Sequence, residues 1–241
     1  MHRFYLNEPF GLGDIVSLSA EESNHAIKVL RLNVGDNVEI LNGTDIFNAV
    51  IDKIEKNSLL VKILSQRDSI EPNTKITLFQ GLPKGDKIYC IVQKCTEVGV
   101  HSIVPVLMQR CVKKPSNEQK LIEKCQKTAI EACKQCGRNH IPKIYDICDL
   151  HAAIQMLSEY DLIIVPWEEE RKNSLKNIVE KAKLGYNIAV FIGPEGGIDK
   201  DEIEILKSAG AITITLGRRI LRTETAGECT SFSILSMLND L

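Results

Sequence analysis

Phe191-Ile192-Gly193-Pro194-Glu195-Gly196-Gly197 and Leu216-Gly217-Arg218-Arg219-Ile220-Leu221-Arg222-Thr223-Glu224-Thr225-Ala226-Gly227 decide the fold of this chain. Each glycine-marked loop follows a β-type run, Asn187 to Ile192 in the first case and Ala211 to Leu216 in the second, and each leads into a helical pattern. Loops leaving the carboxyl ends of parallel strands expose backbone N–H and C=O groups to a crevice, where α/β proteins bind small ligands. Two such loops close together point to one ligand site built from both. Neither fits the G-x-G-x-x-G dinucleotide fingerprint, and no G-x-x-x-x-G-K-[ST] phosphate loop occurs. Gly196 and Gly197 permit positive φ and close approach of a ligand, but a tight strand-to-helix turn alone also calls for them.

Working outward, strands and helices alternate from residue 76 onward. Ile76 to Leu82 reads as strand, Asp86 to Glu97 as helix, Ser102 to Leu107 as strand and Asn117 to Cys136 as helix. A helix from Leu150, a buried strand Asp161 to Val165 and a helix near Ser174 follow, and a helix from about Glu224 to Leu238 closes the pattern. This predicts a parallel sheet with helices on both faces. Residues 1–71 read instead as short strands at Val38 to Leu41, Ile46 to Ile51 and Leu59 to Leu64, separated by turn signals at Asn42-Gly43 and Lys56-Asn57-Ser58. One short helix interrupts them, with Ser19 as N-cap and Glu22 three residues on. The prediction is a small β-barrel over 1–71 and an α/β domain over 72–241, divided at Glu71-Pro72-Asn73.

Composition narrows the classes. No run of about eighteen apolar residues exists, which excludes a membrane-spanning helix. Met1-His2-Arg3-Phe4-Tyr5 lacks the apolar core of an export signal, so the eight cysteines are expected to be reduced thiols in a cytoplasmic protein. The net charge of −2 hides an asymmetry: residues 73–145 hold 13 Lys and Arg against 5 Asp and Glu. A basic middle between acidic flanks suits a polyanionic partner, although a solvated lysine-rich face gives the same count.

Arg222 can fork onto a phosphate or a carbonyl oxygen, Glu224 stands two residues on, and Thr223 or Thr225 can cap the following helix. An ordinary Arg–Glu surface pair is the competing reading. Cys133-Lys134-Gln135-Cys136, with Cys125 and His140 near in sequence, invites a zinc or redox reading. No second C-x-x-C exists, and these cysteines also fit the apolar face of their helix, so no metal is expected.

Gly193-Pro194-Glu195-Gly196-Gly197, followed by Leu216-Gly217 and Ile220-Leu221-Arg222-Thr223-Glu224-Thr225-Ala226, resembles the ribosomal RNA small subunit methyltransferase E family, of the SPOUT class. The resemblance runs the length of the chain. It takes in His2-Arg3-Phe4-Tyr5, His25 with Val29-Leu30-Arg31 and Gly35-Asp36, Lys84-Gly85-Asp86-Lys87, Gln93 to Val100, Pro105, Arg110, Glu131-Ala132, Gln135-Cys136-Gly137-Arg138 and Pro142. It departs at Arg218-Arg219, where a basic or small residue and then proline are common, at Val98 in place of leucine, and at Cys136, where serine is also frequent.

The resemblance implies a trefoil-knotted α/β methyltransferase preceded by a PUA-like barrel that helps to hold RNA. It also implies a homodimer, S-adenosylmethionine as methyl donor, and N3 of one uridine in 16S ribosomal RNA as acceptor. Arg222 is then expected beside the uracil, with Glu195 or Glu224 as base. Val165-Pro166-Trp167, Gly193 to Gly197, Leu216, Gly217, Ile220, Leu221 and Thr225 are expected around the donor. Arg3, His25, Arg31, Lys84, Lys94, Arg110, Lys113, Lys114 and Arg138 are expected at RNA. Another RNA target, a non-catalytic RNA-binding assembly protein, and a cysteine-dependent metal or redox protein are the alternatives.

Overall fold

Apolar runs without a polar alternate face become strands buried on both sides, and polar alternation leaves one face to water. Both patterns occur here, in separate halves. The structure, a computed structural model, describes residues 1–55, 58–111 and 115–241. It divides into two compact units. One comprises Met1–Glu71 with Cys133–Ile141, and the other Pro72–Ala132 with Pro142–Leu241.

In the first unit β1 (His2–Tyr5), β2 (Ile15–Ser17), β3 (Asn37–Leu41), β4 (Ile46–Ile54) and β5 (Leu59–Gln66) form one sheet in the order β1-β3-β4-β5-β2. Only the β1–β3 pair is parallel. Helix α1 (Ala20–Asn24) starts at Ser19, whose hydroxyl accepts from the Glu22 N–H at 3.2 Å, and runs into a π-helical turn at His25–Val29. Phe4, Val38, Ile40 and Ile63 lie fully buried at its centre. The segment Cys133–Ile141, whose first residues end the helix expected over Asn117 to Cys136, belongs to this unit. There Arg138 is only 5% exposed and clasps Glu71 through Nη2 at 2.6 Å, while the N–H groups of Asn139 and His140 also donate to that carboxylate.

The second unit begins with β6 (Lys75–Gly81), α2 (Lys87–Glu97), β7 (Ser102–Leu107) and α3 (Glu118–Cys136), whose last turn crosses into the first unit. Then come β8 (Lys143–Ile144), β9 (Cys148–Asp149), α4 (Leu150–Gln155), β10 (Leu162–Pro166) and α5 (Leu175–Val179). The unit ends with β11 (Asn187–Ile192), α6 (Lys200–Ser208), β12 (Ile212–Ile214) and α7 (Thr223–Met237). The sheet order is β12-β10-β11-β6-β7-β8, with β9 beside β7, and every pairing is parallel. Phe79 of β6 and Phe191 of β11 stack at 4.4 Å between ring centroids in the middle of this sheet.

Two local expectations change. Strand β12 stops at Ile214, because the Thr215 N–H turns to the Asn173 carbonyl at 2.8 Å. Neither Thr223 nor Thr225 caps α7: Arg222 is the N-cap residue, and no side chain accepts from the first turn.

Candidate functional site

The carboxyl ends of β10, β11 and β12, the first turn of α7 and Lys87 of α2 enclose a cavity of about 930 Å³, within the size range of small-molecule sites. Pro166 and Trp167 form one wall, Ile192 to Ile198 a second, and Thr215 to Glu224 a third.

Packing explains the glycines of the second wall. A Cβ on Gly193 would stand 2.8 Å from Ile198 Cγ1 and 2.9 Å from the Gly197 carbonyl carbon. Gly197 has φ +74°, and a Cβ there would lie 2.3 Å from Glu168 Oε1. The turn itself therefore requires both, and both also face the cavity. Arg110 braces this loop from outside, donating to the Gly196 carbonyl at 3.0 Å and to Asp199 Oδ2 at 2.9 Å. Asp199 in turn opens α6 with a capping box completed by Glu202.

Charge inside the cavity is arranged around Lys87. Its ammonium donates to Glu195 Oε1 at 2.9 Å and stands 3.7 Å from Glu224 Oε2. Glu195 also accepts from the Lys84 backbone N–H at 3.1 Å. Burial pushes the Glu195 carboxyl up; the Lys87 hydrogen bond and the backbone donors more than offset that, leaving it below the usual carboxylate range. Glu224 Oε2 is buried and receives no hydrogen bond among the described residues. Arg222 is exposed at the cavity, and its side chain forms no hydrogen bond or ion pair among the described residues.

Of the expected donor-site residues, Pro166, Trp167, Gly193, Pro194, Glu195, Gly196, Gly197, Leu216, Gly217, Ile220 and Leu221 line the cavity. Val165 and Thr225 do not. Val165 is fully buried in β10, and Thr225, next after Glu224 on α7, is half-buried outside the lining. Sequence reasoning left Lys87, Glu168, Arg171, Ile198 and Thr215 without a role, although all line the cavity. Their signal was position: each lies within a few residues of a strand end already marked.

The expected RNA residues divide. His25, Arg31 and Lys84 are exposed, and Lys94 is partly exposed beside Glu228 at 3.6 Å. Arg138 is corrected to a structural residue, because a buried guanidinium forked onto Glu71 has no free donor face for a phosphate. Arg3 is similarly engaged, with Glu39 at 2.5 Å and the carbonyl of Lys134 at 2.9 Å. Lys113 and Lys114 lie outside the described residues. The cysteine cluster behaves as core: burial pushes the Cys125 and Cys133 thiols up to about 12, and Cys133 Sγ donates to the His140 carbonyl at 3.3 Å.

The family model described as "RNA methyltransferase domain" matches residues 70–235, and "RNA methyltransferase PUA domain" matches residues 18–64. Ribosomal RNA small subunit methyltransferase E of Bacillus subtilis is 33% identical over 219 residues, covering 87% of this chain and 85% of its own. This chain belongs to the ribosomal RNA small subunit methyltransferase E family. The methyltransferase E protein of Buchnera aphidicola from Acyrthosiphon pisum is 32% identical, covering 99% of this chain and 94% of its own. Among solved structures, methyltransferase E from Neisseria gonorrhoeae, bound to S-adenosyl methionine, is 31% identical with a TM-score of 0.88 and 98% of each chain covered. A methyltransferase from Legionella pneumophila with bound cofactor is 30% identical, with a TM-score of 0.87 and coverage of 97% and 96%. Membership in the methyltransferase E family gives the second unit its class, the trefoil-knotted SPOUT α/β fold, with a PUA-like barrel before it.

Proposed function

We propose that this chain transfers a methyl group from S-adenosylmethionine to N3 of a uridine in 16S ribosomal RNA of the small subunit. The observation that carries the reading is the convergence of an unpaired Arg222, the buried and unbonded Glu224 Oε2 and the glycine loop on one cavity.

The cavity suits the donor. Its second wall presents backbone at Gly193, Gly196 and Gly197, which carry no side chain to cover their N–H and C=O groups. Trp167, Ile192 and Leu221 supply apolar surface, and the exposed backbone can read an adenine edge. These residues, with Leu216, Gly217 and Ile220, would hold S-adenosylmethionine. Bound there, the donor supplies an electrophilic methyl carbon on a sulfonium.

The chain's own residues handle the acceptor. The N3–H of uracil is a weak acid and must lose its proton as nitrogen attacks. Glu224 is the better base of the two carboxylates, because Lys87 and the Lys84 amide already occupy Glu195 and lower its basicity. Glu224 takes the N3 proton, and Arg222 donates to a ring carbonyl oxygen where negative charge develops. Such a donor is worth about 10²- to 10³-fold in rate. His25 and Arg31 on the barrel, with Lys84 and Lys94 on the second unit, contact phosphates. The protein works as a cytoplasmic homodimer.

The test is transfer from labelled S-adenosylmethionine to small ribosomal subunits from a strain lacking this activity, with the modified nucleoside identified by mass spectrometry. The expected result is N3-methyluridine at a single site. Transfer to another RNA, or to another atom, would move the substrate; no transfer with demonstrable cofactor binding would remove the catalytic reading.

A further inference from the structure

Between Arg222 and Glu224 stands a residue that does not face solvent. Thr223 is 6% exposed, and its hydroxyl joins three elements. Thr223 Oγ1 donates to the Gly193 carbonyl at 2.7 Å and accepts from Gln80 Nε2 at 2.8 Å. Gln80, fully buried at the end of β6, also donates through Nε2 to the Gly81 carbonyl at 2.9 Å. The direction of each bond is forced: a carbonyl only accepts and an amide NH₂ only donates, so the hydroxyl proton goes to Gly193.

The elements joined are already in register. Gln80 of β6 pairs with Ile192 of β11, so Gly81, the last residue of β6, stands beside Gly193, the first residue beyond β11. Gly81 packs so closely on the glycine loop that a Cβ there would lie 2.6 Å from Pro194 Cδ. The missing partner is the start of α7, which has no side-chain cap and begins at a residue whose own side chain has no bonded partner among the described residues. The Thr223 hydroxyl is what ties that start to the loop.

We propose that Thr223 is a positioning residue for methyl transfer. Its hydroxyl fixes the first turn of α7 against the Gly193 carbonyl, and so sets Arg222 and Glu224, its neighbours in sequence, at the cavity that the glycine loop also lines. The inference rests on the methyl-transfer reading for its rate consequence and on geometry alone for the tie. Thr223 is 6% exposed, and its hydroxyl is committed to the Gly193 carbonyl and the Gln80 amide. It acts through its two neighbours, and misplacing reacting groups by about 1 Å costs on the order of 10²-fold.

Thr223→Val keeps the shape and deletes the hydroxyl; Thr223→Ser keeps the hydroxyl. In steady-state assays on small subunits, Thr223→Val is expected to lower kcat about tenfold or more, with the cofactor KM within about threefold of wild type. Thr223→Ser should stay within about threefold in both. In the protein alone, amide hydrogen exchange at Glu224 to Ala226 should quicken in Thr223→Val and match wild type in Thr223→Ser. Wild-type kcat in the valine variant, a serine variant as poor as valine, or a loss confined to cofactor KM would each overturn the proposal. If the valine variant does not fold, Thr223→Ser against Thr223→Ala decides, since both lack the methyl and only the serine bonds; equal activity overturns it. Should wild type methylate no RNA, the methyl-transfer reading fails while the exchange comparison still decides the tie.

Discussion

Lys87 sits between two carboxylates, and its unequal distances to them separate their roles. Glu224→Gln removes the proposed base and is expected to lower kcat by about 10²-fold or more. Glu195→Gln should cost less than about tenfold, as that carboxylate serves to hold Lys87. Single-turnover rates at saturating donor check both, and a larger loss in Glu195→Gln than in Glu224→Gln would return the base to Glu195. A second contest concerns stability. Burial pushes the Glu71 carboxyl up, but the Arg138 fork and the amides of His140 and Asn139 outweigh it and hold it below its usual 4.5. A depressed folded-state value stabilises the fold above that usual value, and the gain is lost as pH falls through the lowered one. Denaturant unfolding should therefore show stability falling below about pH 4.5. Glu71→Gln should cost about 3 kcal/mol at pH 7, because it removes the carboxylate onto which the buried Arg138 guanidinium forks, and should flatten the acid limb. An unchanged limb would mean that other carboxylates set it.

The glycine loop is an element held from both sides, by Thr223 within and by Arg110 outside. Arg110→Met is expected to raise the cofactor KM about tenfold and to leave the salt dependence of RNA binding unchanged. A lowered salt slope would instead make Arg110 a phosphate contact. Elements of this kind were partly legible. Asn187–Ile192 and Ser102–Leu107 could be bounded to the residue, since continuous apolar runs flanked by polar residues are the signature of strands covered on both faces. The Ser19 cap was legible because it is local chemistry. β1 and β2 are too short for alternation to register, and β8 and β9 have two residues each. The site was visible where backbone makes it, at Gly193 to Gly197 and Gly217, and obscure where a side chain arrives from elsewhere. Lys87 reaches the cavity from α2, and Arg138 looks like a free surface cation until Glu71, 67 residues away, is placed beside it.

For the molecule as a whole, the excess of 13 basic over 5 acidic residues in 73–145 predicts RNA binding that weakens steeply with salt. Arg31→Ala and Lys84→Ala should each reduce the slope of log K against log salt by about one, uniformly across RNA sequences. A slope insensitive to both would place the phosphate track elsewhere. The excursion of Cys133–Ile141 into the first unit sets an order for the birth of the protein. A ribosome that has released Met1 to Glu71 has not yet released the partner of Glu71, nor the Lys134 carbonyl that receives Arg3. The N-terminal unit must wait, incomplete, while some seventy further residues emerge. Scissors obey the same logic: a gene fragment cut at Glu71 encodes a barrel with an unclasped carboxylate, and only a circularly permuted or spliced chain could present that unit whole.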